Sequence, residues 1–151
     1  MKNLKVRVWD YGMNQMIYAG DEEYLFTITE NGVRVDDLTF TVTVDENEIF
    51  EDIKCEVMLS TGLKDTKGKE IYGKDIIKVT DDNGQVLENI SNTGTGIVNF
   101  CYGMWYVDGI ENGLYDLHES YNIEIIGNIF ENPELIGQKY ENKELESREQ
   151  N

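Results

Sequence analysis

Short segments of alternating polarity recur along the chain, and residues that favour tight turns separate them. The clearest segment covers residues 38–44, where apolar side chains alternate with threonines, as they do in a half-buried strand. Asn31-Gly32 stands between two such segments and favours a type I′ hairpin turn. Strands spaced roughly ten residues apart, with turns between them and no long helical pattern, predict a closed or nearly closed antiparallel β architecture.

This pattern predicts a mainly β fold. We expect a small antiparallel SH3-like barrel with an additional N-terminal β layer and a short C-terminal helical turn. Residues 1–136 form one domain in this interpretation, with the N-terminal layer at 1–59 and the barrel at 60–136. The predicted strands are 4–9, 16–19, 24–29, 33–35, 38–44, 55–59, 75–79, 97–102, 104–107, 114–117 and 122–129.

Three segments are expected to lie outside the strands. Residues 45–52 are acidic and favour a loop or one helical turn. Asn132-Pro133-Glu134 places a capping residue, a proline and an acid where a helical turn begins, so one turn should follow Asn132. Residues 137–151 are polar and charged, and they predict a disordered tail.

The stretch at residues 60–79, STGLKDTKGKEIYGKDIIKV, organises the chain. It joins dense turn chemistry to a β-branched strand, because its glycines supply the positive φ angles that tight turns need. It also concentrates the positive charge, in Lys64, Lys67, Lys69, Lys74 and Lys78.

The motif TGLKD..GKEIY..DIIKV within this stretch resembles the signature of the YopX family, small proteins of phages and prophages in Gram-positive bacteria. KVRVWD at residues 5–10 is similar to the family's opening strand, and IGNIFENPEL at 126–135 to its closing motif. The resemblance implies a mainly β protein of phage or prophage origin that acts inside the host cell. It transfers no catalytic residues, since the family has no assigned activity.

The chain departs from the family pattern at one turn. The family usually places an acidic residue and then glycine before the aspartate of the DIIKV strand. Here Gly73 comes first and Lys74 follows. The departure leaves open the geometry of this turn, but not the fold.

The net charge of −17 is unevenly distributed, since no lysine or arginine occurs between residues 80 and 138. Direct binding to nucleic acid is not expected, because phosphate neutralisation needs a basic footprint. High net charge also keeps a β protein soluble, which is the structural interpretation of the acidity.

The sequence predicts no cofactor, no metal site and no membrane segment. Cys55 and Cys101 lie far apart without a redox or zinc spacing, and we interpret both as buried hydrophobes. No apolar run approaches the ~20 residues that would span a bilayer. We therefore expect a protein of the host bacterial cytoplasm.

Catalysis has one candidate residue. His118 is the only histidine, and Cys101 would become its nucleophile only if folding placed the two side chains together with a third orienting group. A structural histidine is the simpler interpretation, so we expect no enzyme.

Aromatic residues give a candidate interaction surface at Tyr72, Trp105 and Tyr106, which stand near Tyr102 and Trp9 in the same aromatic set. Aromatic side chains supply large contact areas in protein interfaces. Packing in the core is the alternative interpretation. The solvent exposure of these side chains distinguishes an interaction surface from core packing.

These observations leave two main hypotheses. The first is an accessory protein without catalytic activity that contacts a host or phage protein, or assembles with itself through β edges or the aromatic cluster. The second is an acidic nucleic-acid mimic, since the net charge of −17 matches that of roughly 29 Å of duplex DNA. Mimicry requires the lysines at 64–78 to lie away from the acidic face.

Overall fold

The computed structural model describes residues 5–44, 47–52 and 54–137. The chain divides into two compact units, Met1–Ser60 and Thr61–Asn151. From residue 138 onward, the segment predicted as a tail lies outside the described residues.

Unit 1 consists of antiparallel sheets. Strand β1 lies between β2 and β6, and β4 lies between β3 and β5. Val8, Ile17 and Val35 form its buried core. The strands are β1 Val6–Asp10, β2 Gln15–Tyr18, β3 Tyr24–Thr29, β4 Gly32–Val44, β5 Asn47–Asp52 and β6 Cys55–Lys64, which continues into unit 2.

Two local predictions in unit 1 were wrong. Residues 47–52 form strand β5, because backbone pairing with the long strand β4 outweighs the weak β propensity of acidic residues. Residues 45–46 lie outside the described residues. The β3–β4 hairpin forms as predicted, but positive φ falls on Gly32 and not on Asn31, so the turn is not type I′. Strand β1, which lies between β2 and β6, is buried along its whole length.

Unit 2 contains a curled, five-stranded antiparallel sheet in the order β11-β10-β9-β8-β12. The mainly β antiparallel prediction is therefore confirmed. One face carries the main core around Ile77, Val98 and Leu117, and a second cluster contains Ile76, Ile97 and Ile129. The elements are β7 Glu70–Tyr72, β8 Asp75–Thr80, β9 Thr95–Cys101, β10 Met104–Asp108, β11 Asn112–Gly113, α1 Leu114–Ser120, β12 Asn122–Asn128 and a 3-10 helix Pro133–Leu135.

Two further predictions change in unit 2. Residues 114–117 belong to helix α1, not to a strand, because Leu114 and Leu117 are both fully buried at the spacing that places side chains on one helical face. The C-terminal helical turn is confirmed as the 3-10 helix. Its predicted cap is wrong, since the Asn132 side chain makes no capping bond and its Oδ1 instead accepts from the Asn128 N–H.

The carboxylate of Asp65 fixes the loop between β6 and β7. Its Oδ1 accepts hydrogen bonds from the N–H groups of Lys67 at 3.0 Å and Lys69 at 2.8 Å. Its Oδ2 accepts from the N–H of Ile125 in β12 at 3.1 Å. Asp65 is 7% exposed, so water offers these donors little replacement. One buried side chain thus closes the loop and attaches it to β12.

The turn between β7 and β8 contains Gly73 and Lys74, where the sequence departs from the family pattern. The structure shows the geometry of this turn. Positive φ falls on Lys74, at 72°, and not on Gly73. The turn is nonetheless held, because the Lys74 N–H donates to the Val98 carbonyl at 2.7 Å and the Lys74 carbonyl accepts from Ile129 N–H at 3.1 Å. A lysine therefore occupies the left-handed conformation that favours glycine.

Replacing Lys74 by glycine is expected to stabilise the protein by about 0.5–1 kcal/mol. A left-handed L-residue costs about 1–2 kcal/mol, and the greater chain entropy of glycine returns about 0.5–1 kcal/mol of this. Urea unfolding followed by tryptophan fluorescence measures the change. Lys78→Gly is the matched control, because Lys78 lies in strand β8, outside the positive-φ region, and should lose stability. A less stable Lys74→Gly variant would contradict the strained turn.

Replacing Asp65 by alanine is expected to lower the free energy of unfolding by about 2–4 kcal/mol, because it leaves buried N–H donors without a charged acceptor. The same urea experiment measures this loss. Asp82→Ala is the control, since Asp82 is exposed. Equal urea midpoints for the two variants would show that the Asp65 contacts do not stabilise the fold.

Candidate functional site

The turn of the β9–β10 hairpin has a type that its sequence does not predict. Cys101 and Met104 pair across the turn, and the two residues between them both have positive φ, 51° at Tyr102 and 76° at Gly103. This combination defines a type I′ turn, for which asparagine and glycine are the preferred residues. Tyrosine at the first position is strained, and its side chain is 101% exposed.

Apolar side chains cluster around this turn. Phe100 is 62% exposed and Met104 is 45% exposed. Phe100 lies opposite Trp105 in the strand register, with an edge-to-face ring contact at 5.2 Å between centroids. Trp105 itself packs against the main core of unit 2. We call Phe100, Tyr102, Met104 and Trp105 the hairpin tip, an apolar set in which the half-buried Trp105 anchors Phe100 through the ring contact.

The structure separates the three residues predicted as an interaction surface. Tyr72 lies in β7 with only 8% of its surface exposed. Trp105 and Tyr106 are both half-buried and adjacent in β10, so their side chains point to opposite faces. Of the three, Trp105 alone belongs to the hairpin tip.

Tyr106 is engaged by an acidic neighbour. Its hydroxyl donates a hydrogen bond to Glu111 Oε2 at 2.8 Å. This bond, with smaller contributions from desolvation and from the charges of Glu111 and Asp108, raises the pKa of Tyr106 to about 12. The phenol therefore keeps its proton to a higher pH than an ordinary tyrosine does.

Sequence reasoning missed Phe100. It alternates with Val98 on the face that carries the core, and Val98 is fully buried. Alternation assigns both residues to the interior, but the core ends before it reaches Phe100. Tyr102 belonged to the aromatic set of the sequence, although no sequence signal marked its exposure.

The hairpin tip lies in an acidic segment of the chain. Residues 80–138, which include the tip, contain no lysine or arginine. Asp108 ends β10 and Glu111 follows it, so both acids lie at the end of the hairpin away from the β9–β10 turn. In α1, a hydrogen bond to Glu119 raises the pKa of Tyr115.

His118 has a structural contact. Its Nε2 lies 2.9 Å from the carbonyl oxygen of Lys64, so this nitrogen carries the proton and donates. Within residues 5–44, 47–52 and 54–137, no hydroxyl or thiol is hydrogen-bonded to the ring, and no cluster of ligands suited to a metal ion occurs. The predicted histidine site is thus an exposed imidazole that ties α1 to the stretch before Asp65.

An open groove of about 400 Å³ lies beside β9. Its lining residues are mostly small or apolar: Thr93, Thr95, Gly96, Ile97, Asp108, Gly109, Leu135, Ile136 and Gly137. Its charged group is Asp108, whose carboxylate accepts a hydrogen bond from the Asn99 amide. This lining does not present the convergent polar groups of a small-molecule site.

Within the described residues, no helix is both long enough and apolar enough to cross a membrane.

The chain matches a protein family over most of its length. The YopX protein family model aligns with residues 5–145. The SPbeta prophage-derived uncharacterized protein YopX of Bacillus subtilis strain 168 is 30% identical over 146 residues, which cover 87% of this chain and 95% of the relative.

Two crystal structures share the fold. That of YopX from Bacillus subtilis has a TM-score of 0.59 at 26% identity, over 90% of this chain and 100% of the other. That of a protein from Enterococcus faecalis has a TM-score of 0.60 at 20% identity, over 91% of this chain and 100% of the other. The family match and the relative in the SPbeta prophage agree with the signature stretch, and the chain belongs to the YopX family of prophage proteins.

Proposed function

We propose that this chain is a phage or prophage accessory protein without catalytic activity, which acts in the host cytoplasm by binding another protein through the hairpin tip. The observation that carries the proposal is the fully exposed ring of Tyr102 on a residue with positive φ. Strained residues that persist at a surface point to functional sites, and exposed aromatic residues are typical anchors of interfaces.

The packing of Phe100 supports this role. Phe100 is held by its ring contact with Trp105, and Trp105 packs against the core. The Phe100 ring therefore has a packing contact before a partner binds, which lowers the entropy cost of ordering it on association. The tip lies in a segment without lysine or arginine, which favours a partner with a basic rim.

Nucleic-acid mimicry is the second function that the acidity suggests, and two contacts weigh against it. Lys67 Nζ lies 2.7 Å from Glu124 Oε1, and Lys78 is the cross-strand neighbour of Glu124 in the β8–β12 pair. A mimic needs an uninterrupted array of carboxylates in place of phosphates. Here two lysines of the basic stretch lie beside an acid of that array.

The Tyr102→Asn variant tests whether the ring binds a partner, without lowering the stability of the hairpin. Asparagine suits the first position of a type I′ turn, so the variant should be at least as stable as the parent chain. Loss of the ring should weaken partner binding by about 10- to 30-fold. Phe100→Ser should weaken binding in the same way, whereas Tyr115→Ala, which removes an exposed ring from α1, should not.

The measurement begins with affinity capture from nuclease-treated host lysate at low and high salt, with bound proteins identified by mass spectrometry. Each captured protein is then purified, and calorimetry gives its affinity for the parent chain and the three variants. A partner that binds Tyr102→Asn and Phe100→Ser as tightly as the parent chain would refute the hairpin tip as the binding site. A turnover activity lost in His118→Ala would refute the absence of catalysis.

A further inference from the structure

The outer edge of β3 in unit 1 carries backbone groups that no described strand pairs. β3 ends the sheet β3-β4-β5 and bonds to β4 on one side. The Leu38 N–H donates to the Glu23 carbonyl, and hydrogen-bonded pairs alternate along an antiparallel ladder. The N–H and C=O groups of Phe26 and Ile28 therefore point away from β4.

Within residues 24–29, this edge has no charge, no proline and no bulge to protect it. Its sequence, YLFTIT, contains no charge and no proline, and its register with β4 runs without a bulge. Leu25 is 48% exposed and Ile28 is 71% exposed. Edge strands are normally blunted by lysine, proline or a bulge, because an unprotected edge pairs with another strand.

We propose that two copies of the chain pair antiparallel along β3, with Thr27 of one copy opposite Thr27 of the other. A two-fold axis normal to the sheet keeps the same face of each copy on the same side. Phe26 then lies opposite Ile28 of the second copy, and each pair exchanges the N–H and C=O groups that β4 leaves free. The exposed Ile28 side chain gains the neighbouring Phe26 ring as a cross-strand partner.

Charge disfavours one alternative register and supports this occupant. With Thr27 at the centre, Glu30 lies opposite Tyr24 and Glu23 lies opposite Asn31. Centring the pair on Phe26 instead would place Glu22 opposite Glu30, and like charges directly opposite are destabilising. A second copy presents the same uncharged strand β3. Two chains of net charge −17 therefore pair through segments that carry no charge.

This proposal does not depend on the hairpin tip. The edge belongs to unit 1 and the tip to unit 2, so either surface can fail its test without affecting the other.

Cysteine cross-linking tests the register. In a Cys55→Ser/Cys101→Ser background, Thr27→Cys should form a disulfide-linked dimer under mild oxidation. Facing residues of a non-hydrogen-bonded pair have Cα atoms about 4.5 Å apart, within the range that a disulfide requires. Leu25→Cys is the matched control on the same face. Its two copies would lie four residues out of register, roughly 13 Å apart, and should not cross-link.

The double variant Leu25→Cys/Thr29→Cys should cross-link again, because residue 25 of one copy faces residue 29 of the other. Equal cross-linking of Thr27→Cys and Leu25→Cys would indicate random collision and refute the proposed pairing.

Sedimentation equilibrium tests the dimer without cross-links. Thr27→Asp places two carboxylates opposite each other and should raise the dimer dissociation constant about tenfold or more. Thr27→Asn has nearly the same shape without the charge and should remain close to the parent chain. The proposal is refuted by a parent chain that stays monomeric at its highest soluble concentration, or by a dimer that Thr27→Asp leaves unchanged.

Discussion

The buried carboxylate of Asp65 is the contact on which unit 2 depends. It accepts N–H groups from its own loop and from β12, and the adjacent Thr66 adds a second attachment, since its N–H and hydroxyl both donate to the Ile123 carbonyl. Residues 65 and 66 therefore bind a loop to a strand that is distant in sequence. Such non-local closure is entropically costly to form, and charge-assisted bonds offset the cost.

The signature stretch uses its polar side chains to bind the backbone. Thr61 donates its hydroxyl to the Ile71 carbonyl, Asp65 fixes the loop, and Asp75, which is 2% exposed, accepts the Tyr72 N–H. Each of these contacts joins a side chain to the backbone. A motif made of such residues identifies a fold.

Most strands were predictable because alternation and turn residues are local signals. The prediction failed where packing decided the outcome. Leu114 and Leu117 suit a strand by composition, but burial of both on one side makes the segment helical. Lys74 could not be assigned its positive φ, because backbone bonds to Val98 and Ile129 impose the turn on an unfavourable residue.

The candidate site was predictable only as a composition of aromatic residues. Whether a ring on the core-facing side is buried depends on where the core ends, and pairing alone does not report this. The core extends to Trp105 but does not reach Phe100. The β3 edge is different, since its lack of charge and its alternation are visible in the sequence. Its position at the end of a sheet becomes known only from the strand order.

Lys74 and Tyr102 both have positive φ, but the fold accounts for only one of these two residues. Lys74 sits in a turn whose N–H and carbonyl both bond to other strands, so the scaffold maintains its conformation. The Tyr102 ring is fully exposed, and asparagine would satisfy the same turn at lower cost. The fold therefore gives no reason for an aromatic ring at this position. The proposed contact with a partner protein would give one, and the neighbouring Phe100 is also exposed.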